Sequence, residues 1–509
     1  MTTPLAAPPA RALAGRKEWT AFTVLLLPLL LVSMDVSVLF FAMPAISREL
    51  EPTGTQQLWI FDSYAFALAG LLITMGSLGD RIGRRKLLLA GALAFGAASV
   101  AAAYAQSAEM LIAARAVLGV GGATLMPSTM ALVRNLFHDE QQRSKAVGIW
   151  SGAMGGGVAL GSVAGGLLLD HFWWGAAFLV NVPAMVLLLV LAPLLVPEFK
   201  DPAPGRFDFL SVPLSMGSVV PVIYGVKEIA ADGFALTPAV CVAAGLAVGV
   251  AFVRRQRGRS DAMISRELFR HRVFGAGVGI NTLATFGMMG SAYFTTQYLQ
   301  SVLGKGPLEA ALWGAIPSVA VGCVAPLASV AARKFSPSSV MAAGFTVAAA
   351  GYGLLAVVGP DSLALTLTGA AVIAAGIVVV MALVSDMALS AAPPEKAGSA
   401  ASLLETGQEL GGALGMALFG SVGVAVYRRD MTGALPADLP HGALDAARET
   451  LGGAAAVAAH LPGRAGEAVL AASREAFTHG MNIAAAGGTT ALLLSAAVTV
   501  AALRRARGA

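Results

Sequence analysis

Long apolar runs follow one another from one end of the chain to the other, separated by short polar stretches. A helix that crosses a bilayer needs roughly 20 mainly apolar residues. By that measure the pattern predicts about fourteen spans. The first seven are 20–44, 56–79, 86–106, 109–134, 144–170, 174–196 and 208–230. The rest are 236–253, 273–299, 307–331, 338–358, 364–390, 399–427 and 478–503. The first run, Thr20 to Pro44, is too long for a signal-peptide core and shows no clear cleavage site, so it reads as a retained span. One sizeable segment lies between spans, 428–477. It is rich in Ala and Gly, contains Pro436, Pro440 and Pro462, and offers two short amphipathic helices, 443–459 and 464–476.

Composition agrees. Of 509 residues, 57% are hydrophobic and 12% charged, and the mean hydropathy is +0.74. A soluble chain carries about 25% charged residues. The 59 glycines suit helices that approach closely in lipid. Cys241 and Cys323 sit inside apolar runs and read as packing residues, giving neither a disulfide framework nor a metal site.

Charge sets the expected orientation, because cytoplasmic loops carry excess Lys and Arg. Basic residues collect in the tail before span 1 and in the loops after spans 2, 4 and 8, the last with Arg254, Arg255, Arg257, Arg259, Arg266, Arg270 and Arg272. The tail after span 14 adds Arg504, Arg505 and Arg507, while the alternate loops are nearly empty. Both termini are therefore expected in the cytoplasm and 428–477 outside, and the net charge of +5 needs no nucleic-acid partner.

The loop after span 2 reads Gly76-Ser-Leu-Gly-Asp80-Arg81-Ile-Gly83-Arg84-Arg85-Lys86, and Pro326 to Pro337 after span 10 looks like an eroded copy without the Asp. The division that follows is a tail 1–19, a six-helix bundle 20–200, two additional helices in 201–258 and a second six-helix bundle 259–509. Such repeats, with a site between them, are how many transporters alternate access.

Gly76 to Lys86 resembles the signature loop of the major facilitator superfamily. Leu111-x3-Arg115-x3-Gly119 is similar to that superfamily's second motif, and Gly157-x3-Gly161-x3-Gly165-Gly166 to its antiporter motif, with Ser162 where Pro is usual. Met34-Asp35-x8-Pro44, Gln57-Leu-Trp59-Ile-x-Asp62-x-Tyr64, Asn181-Val-Pro183 and Gly398-x6-Glu405-x3-Glu409-Leu-Gly-Gly412 resemble the fourteen-span drug:proton antiporters of the QacA type. That resemblance implies a bacterial inner-membrane exporter of quaternary ammonium compounds and other cationic drugs, fuelled by the proton-motive force and needing no cofactor.

A charge at the bilayer centre costs at least ~2.5–3.5 kcal/mol, so charged residues within spans are functional candidates. Histidines fall only in loops or at span ends, so carboxylates would have to carry any proton. Asp35 is mid-span and expected at a central cavity; the plainer reading is a structural partner for a polar group. Glu405 and Glu409, four apart, share one helix face and form a site for a cation or a proton; the plainer reading is solvation near the span's end. Arg115 is expected either to couple to a carboxylate or to form a static ion pair with Asp35 or Asp62. Asp62 reads as a secondary candidate near a solvated span end, and Asp386 as one near the inner end of span 12. Lys227 and Glu228 read as interfacial.

Asp80 with Arg81, Arg84 and Arg85 reads as a cytoplasmic gate, in which Gly76, Gly79 and Gly83 allow a tight turn and the carboxylate receives the N–H groups of a neighbouring helix start. The simpler account is positive-inside topology alone. Gly157, Gly161 and Gly165 form a smooth stripe expected to pack one half on the other. Phe286, Met288, Met289 and Tyr293 read as an adaptable pocket or as lipid-facing filler.

Together these readings describe a transporter of small, lipophilic, cationic molecules that works as a monomer in the bilayer. An exporter of a neutral or anionic metabolite or antibiotic would share the fold. A channel or a non-transporting sensor fits less well. An enzyme is disfavoured, since the chain has no phosphate loop, His/Cys metal cluster or nucleophile elbow.

Overall fold

The computed structural model describes residues 13–200, 208, 210–257, 266–270, 272–391, 397–434, 441–461 and 464–507. Most of the expected N-terminal tail, Arg259, Pro436, Pro440 and Pro462 lie outside these residues. Every regular element among them is helical. In chain order these are α1 (Arg16–Glu49), α2 (Gly54–Ile82), α3 (Arg84–Ala103), α4 (Ala108–Leu136), α5 (Glu140–His171), α6 (Ala176–Leu179), α7 (Asn181–Leu195), α8 (Ser211–Asp232) and α9 (Leu236–Arg257). There follow α10 (Arg266–Arg270), α11 (Arg272–Gln297) with a wider turn at Tyr298–Val302, α12 (Pro307–Lys334), α13 (Pro337–Leu355), α14 (Leu363–Ser390), α15 (Ala397–Ala434), α16 (His441–Glu449), α17 (Leu451–His460) and α18 (Arg464–Arg507).

Among the described residues, twelve helical spans are long and apolar enough to cross a membrane, and α2, bent by 54° between Leu72 and Thr74, makes a thirteenth. The remaining expected span is α8, whose apolar stretch Ser211–Val226 is shorter. The span expected at 174–196 is broken into α6 and α7, because Pro183 lacks the N–H that would bond to the Leu179 carbonyl. The expected helix 443–459 is also two: Thr450 interrupts it and its side chain caps α17 by accepting from Gly453 N at 3.0 Å. The expected helix 464–476 is not separate but the first turns of α18. Cys323 is exposed on α12 rather than packed.

In lipid, apolar surface alone does not drive helices together; close packing of small residues does. The first bundle follows this rule. A Cβ on Gly91 or Gly121 would collide across the α3–α4 contact, and one on Gly119 would strike the Tyr64 backbone of α2. Gly157, Gly161 and Gly165 do the same for α5, but their partner is α1 of the same bundle, at Leu30–Ser33, Met34–Ser37 and Val38. The packing between halves expected of these three is not made; it is the adjacent Gly166 that meets Pro307 and Leu308 of α12. The second bundle closes through Gly344 against Gly376 (α13–α14) and through Gly411 and Gly415 against the α11 backbone. Helices α8 and α9 pair with each other, and α8 rests on α2 and α15, with Met216 filling the notch at Gly70.

Ser162 takes the place of the usual Pro. Its hydroxyl donates to the Val158 carbonyl at 3.1 Å, and α5 continues unbroken.

The two bundles touch mainly toward the face opposite the start of α1. Leu58 packs on Gly420, Gln57 donates to the Tyr293 hydroxyl at 3.2 Å, and Gly166 meets α12. Gly148 and Gly166 share an azimuth on α5, about five turns apart at 3.6 residues per turn. Gly148, however, has nothing within 4 Å of its Cβ position. Helices α5 and α12 therefore diverge toward the face where α1 begins.

Candidate functional site

The stripe on α5 fixes where α1 presents its acid. Gly161 lies against Met34, one residue before Asp35, so α1 is seated at that level. Opposite it, Arg115 of α4 is the largest fully buried side chain. Its guanidinium forms an ion pair with Asp35, and the two side chains are 2% and 1% exposed. Its Nε donates to the Ile60 carbonyl of α2 at 3.0 Å, and the group lies 4.4 Å over the ring of Tyr64. Gly119, one turn beyond Arg115, lets α4 approach the Tyr64 backbone closely enough for this stacking. The pairing of Arg115 is thus with Asp35. Asp62 is buried at 1% exposure, not solvated, because α2 continues past it and packs on α4 and α15.

The second half supplies Glu405 and Glu409 on α15. The glycines 407, 411 and 415 of that helix face α11. Residues two positions away stand about 200° around a helix, so the two glutamates turn away from α11. One turn further along, Ala413 and Ala417 meet Phe66 of α2. The side-chain oxygen Oε1 of Glu405 is buried with no hydrogen-bond partner among the described residues. Tyr64 is within electrostatic reach of both Asp35 and Glu409, and its hydroxyl is buried without a hydrogen-bond partner among the described residues. Asn281 of α11 fixes this stretch of α15: it donates to the Leu404 carbonyl at 3.1 Å and accepts from Gln408 at 3.4 Å.

Asp386 lies elsewhere, exposed on α14. Phe286 and Met289 turn inward rather than to lipid; Phe286 stacks on Phe419 with ring centroids 5.0 Å apart, and Met289 lies at Gly412. Tyr293 is buried at the contact between bundles.

At the face where α1 begins, Gly83 joins α2 to α3 with φ +114°, a conformation that favours glycine. Asp80 pairs with Arg84 and is about half exposed. It does not receive the N–H groups of a neighbouring helix start. The start of α3 is held by Glu198 instead, which accepts from Arg85 N at 2.9 Å and Lys86 N at 3.1 Å. Arg85 reaches back to the Pro193 and Val196 carbonyls at the end of α7. Glu198 was not singled out in the sequence; its signal was an acid just past a span, on the same face as the basic loop. Tyr64 was legible only as part of a motif, with no charge to mark it.

The sequence model of the Major Facilitator Superfamily matches residues 25–416. The chain belongs to the Major Facilitator Superfamily. It is similar to the multidrug efflux pump LfrA of Mycolicibacterium smegmatis, 41% identical over 99% of this chain and 100% of that one. It is also similar to the methyl viologen resistance protein SmvA of Salmonella typhimurium, 32% identical over 94% and 97% of the two chains. A tetracenomycin C resistance and export protein of Streptomyces glaucescens is 29% identical over 97% and 93%. Among solved structures, a bacterial homologue of the human lysosomal transporter Spinster, crystallised inward-facing and unoccupied, shares the fold with a TM-score of 0.67 at 17% identity, covering 96% and 98%. The superfamily member described here is thus a multi-pass membrane transporter of small molecules and not an enzyme. Its buried ion pair and its two glutamates lie on opposite sides of the contact between its bundles.

Proposed function

We propose that this transporter exports lipophilic cations from the cytoplasm by exchanging them for protons. The observation that carries the reading is the proximity to Tyr64 of an arginine-paired acid, Asp35, and of Glu409, which with Glu405 on the same helix face has no basic partner among the described residues. A carboxylate held away from water is stabilised by a proton or by a cation. If both compete for the same oxygens, loading one expels the other, and that competition is the coupling. Arg115 occupies the Asp35 carboxylate while the pair is closed. A shift of α1 against α4 would free the carboxylate for a proton.

The names of the relatives support the class of substrate. Methyl viologen carries two quaternary nitrogens, and LfrA is named as a multidrug efflux pump. The excess of Lys and Arg on alternate loops supports cytoplasmic termini, the repeated loop motif supports a division into bundles 20–200 and 259–509 with the pair 201–258 between them, and the bacterial relatives support an inner-membrane location. We take the working unit as one chain. The bundles contact each other toward the opposite, external face, which fits a state open to the cytoplasm. Asp80, half exposed and paired only locally with Arg84, fits a gate that closes in the other state.

Ethidium efflux from energised cells, with and without a protonophore, tests the reading. Wild-type efflux should collapse with the protonophore, and Asp35→Asn should lower it at least tenfold. Efflux that survives the protonophore would exclude proton coupling. A wild type that moves no ethidium would shift the reading to a neutral or anionic substrate, as for the relative named for tetracenomycin C export.

A further inference from the structure

A cavity of about 460 Å³ opens at the face opposite the start of α1, away from the acids of the central site. It lies where the ends of α1 and α5 and the connection from α5 to α6 in one bundle meet the wide turn after α11 and the start of α12 from the other. Its volume falls within the range of pockets that hold small organic ligands, ~300–1,000 Å³. Its walls are unlike those of an ordinary crevice. Phe41, Phe172, Trp173 and Trp174 supply aromatic faces, and Arg48 and Glu49 supply one charge of each sign.

The charges are available. Lys305 and Glu309 nearby satisfy each other at 2.8 Å. Glu49 accepts the Trp174 indole N–H at 2.7 Å through one oxygen. That bond orients the carboxylate, and its other oxygen has no hydrogen-bond partner among the described residues. Arg48 has no carboxylate partner among the described residues. Gln300, also in the wall, carries a side-chain nitrogen buried without a hydrogen-bond partner.

We infer that this cavity binds the zwitterionic headgroup of a membrane aminophospholipid, a phosphate ester bearing a primary amine. Three features select that chemistry. The guanidinium of Arg48 suits a phosphate, and the amide N–H of Gln300 is a second donor for its oxygens. The ammonium has Glu49 as hydrogen-bond acceptor and the tryptophan faces as a cation–π surface. The position at span ends, with Phe172 and Trp173 exposed, is the headgroup level of the bilayer. A lone organic cation would use the aromatic faces and Glu49 but would meet Arg48 unpaired. An anionic lipid without the amine would leave Glu49 unpaired. Because the cavity is built from both bundles, a bound headgroup bridges them on the closed face. The inference requires a membrane protein but does not depend on the proposed cargo or direction of transport.

The test is native mass spectrometry and thermal melting of the detergent-purified full chain with added phosphatidylethanolamine, phosphatidylcholine or phosphatidylglycerol. Phosphatidylethanolamine should remain bound and raise Tm, phosphatidylcholine less so, and phosphatidylglycerol not. Glu49→Gln and Arg48→Ala, both at exposed residues and so expected to fold, should each weaken the bound lipid by roughly tenfold, the size of a lost charge-assisted hydrogen bond. Trp173→Ala should weaken the two zwitterionic lipids and leave any phosphatidylglycerol adduct unchanged. Equal retention of all three lipids, or retention indifferent to Arg48 and Glu49, would reduce the cavity to an interfacial aromatic girdle and overturn the inference. So would displacement of phosphatidylethanolamine by tetraphenylphosphonium with the same dependence on Glu49.

Discussion

At the scale of single residues, the site depends on one buried ion pair and its uneven failure modes. Removing one partner from a buried pair leaves an uncompensated charge and costs about 3–5 kcal/mol, whereas replacing both can be nearly neutral. Arg115→Met should therefore lower Tm sharply, Asp35→Asn less so, and the double variant should recover most of the Arg115→Met loss. Thermal melts of the three purified variants check this; additive losses would mean that the two residues do not form the pair that the structure shows. Asp35, Arg115, Glu405 and Glu409 were legible because a charge inside an apolar run has no cheap explanation. Asp62 was misplaced to a solvated end because the sequence does not show how far a helix continues beyond the lipid. Glu198 and Tyr64 were not legible as actors. Glu198 acts through the meeting of α3 and the end of α7, and Tyr64 through the ring it offers to Arg115.

At the scale of elements, the glycine stripe and the segment between α15 and α18 carry the account. Because Gly161 seats α1 beside Asp35, Gly161→Leu should push α1 away, lower stability by ~1–3 kcal/mol as overpacking does, and abolish efflux. Gly148→Leu on the same helix faces open space and should leave stability near wild type. If the two variants behave alike, the stripe is not what positions the acid. The segment between α15 and α18 closes the face opposite the start of α1. Glu449 accepts from Gly54 N of α2 at 3.1 Å and pairs with Arg428 of α15 at 2.5 Å, so one carboxylate holds both bundles. Gly452 packs on Ser47 of α1. Glu449→Ala should speed labelling of a Ser47→Cys variant by a membrane-impermeant maleimide several-fold; unchanged labelling would show that this contact seals nothing. Sequence periodicity found the helical character of the segment but not its partition, because the break at Thr450 depends on a hydroxyl that caps α17. The stripe was found by its spacing, but its partner was not, since small residues mark a close approach without saying to which helix.

At the scale of the whole molecule, an all-helical membrane fold was readable from apolar runs, because lipid admits only helices and closed barrels; of the fourteen expected spans, twelve to thirteen among the described residues are long and apolar enough to cross. The short α8 and the broken α6–α7 were not readable, because length and Pro geometry act below the resolution of a hydropathy pattern. The divergence of α5 and α12 toward one face was also hidden, since Gly148 and Gly166 look identical in sequence and differ only in what stands opposite them. The central claim spans the molecule: acids of both bundles hold either a proton or a cation. It is tested most directly by measuring proton release when ethidium is added to the purified transporter in weak buffer near neutral pH. The wild type should release protons in proportion to the ethidium bound, and a Glu405→Gln/Glu409→Gln double variant should release almost none. Ethidium binding without proton release in the wild type, or equal release from the double variant, would contradict the account.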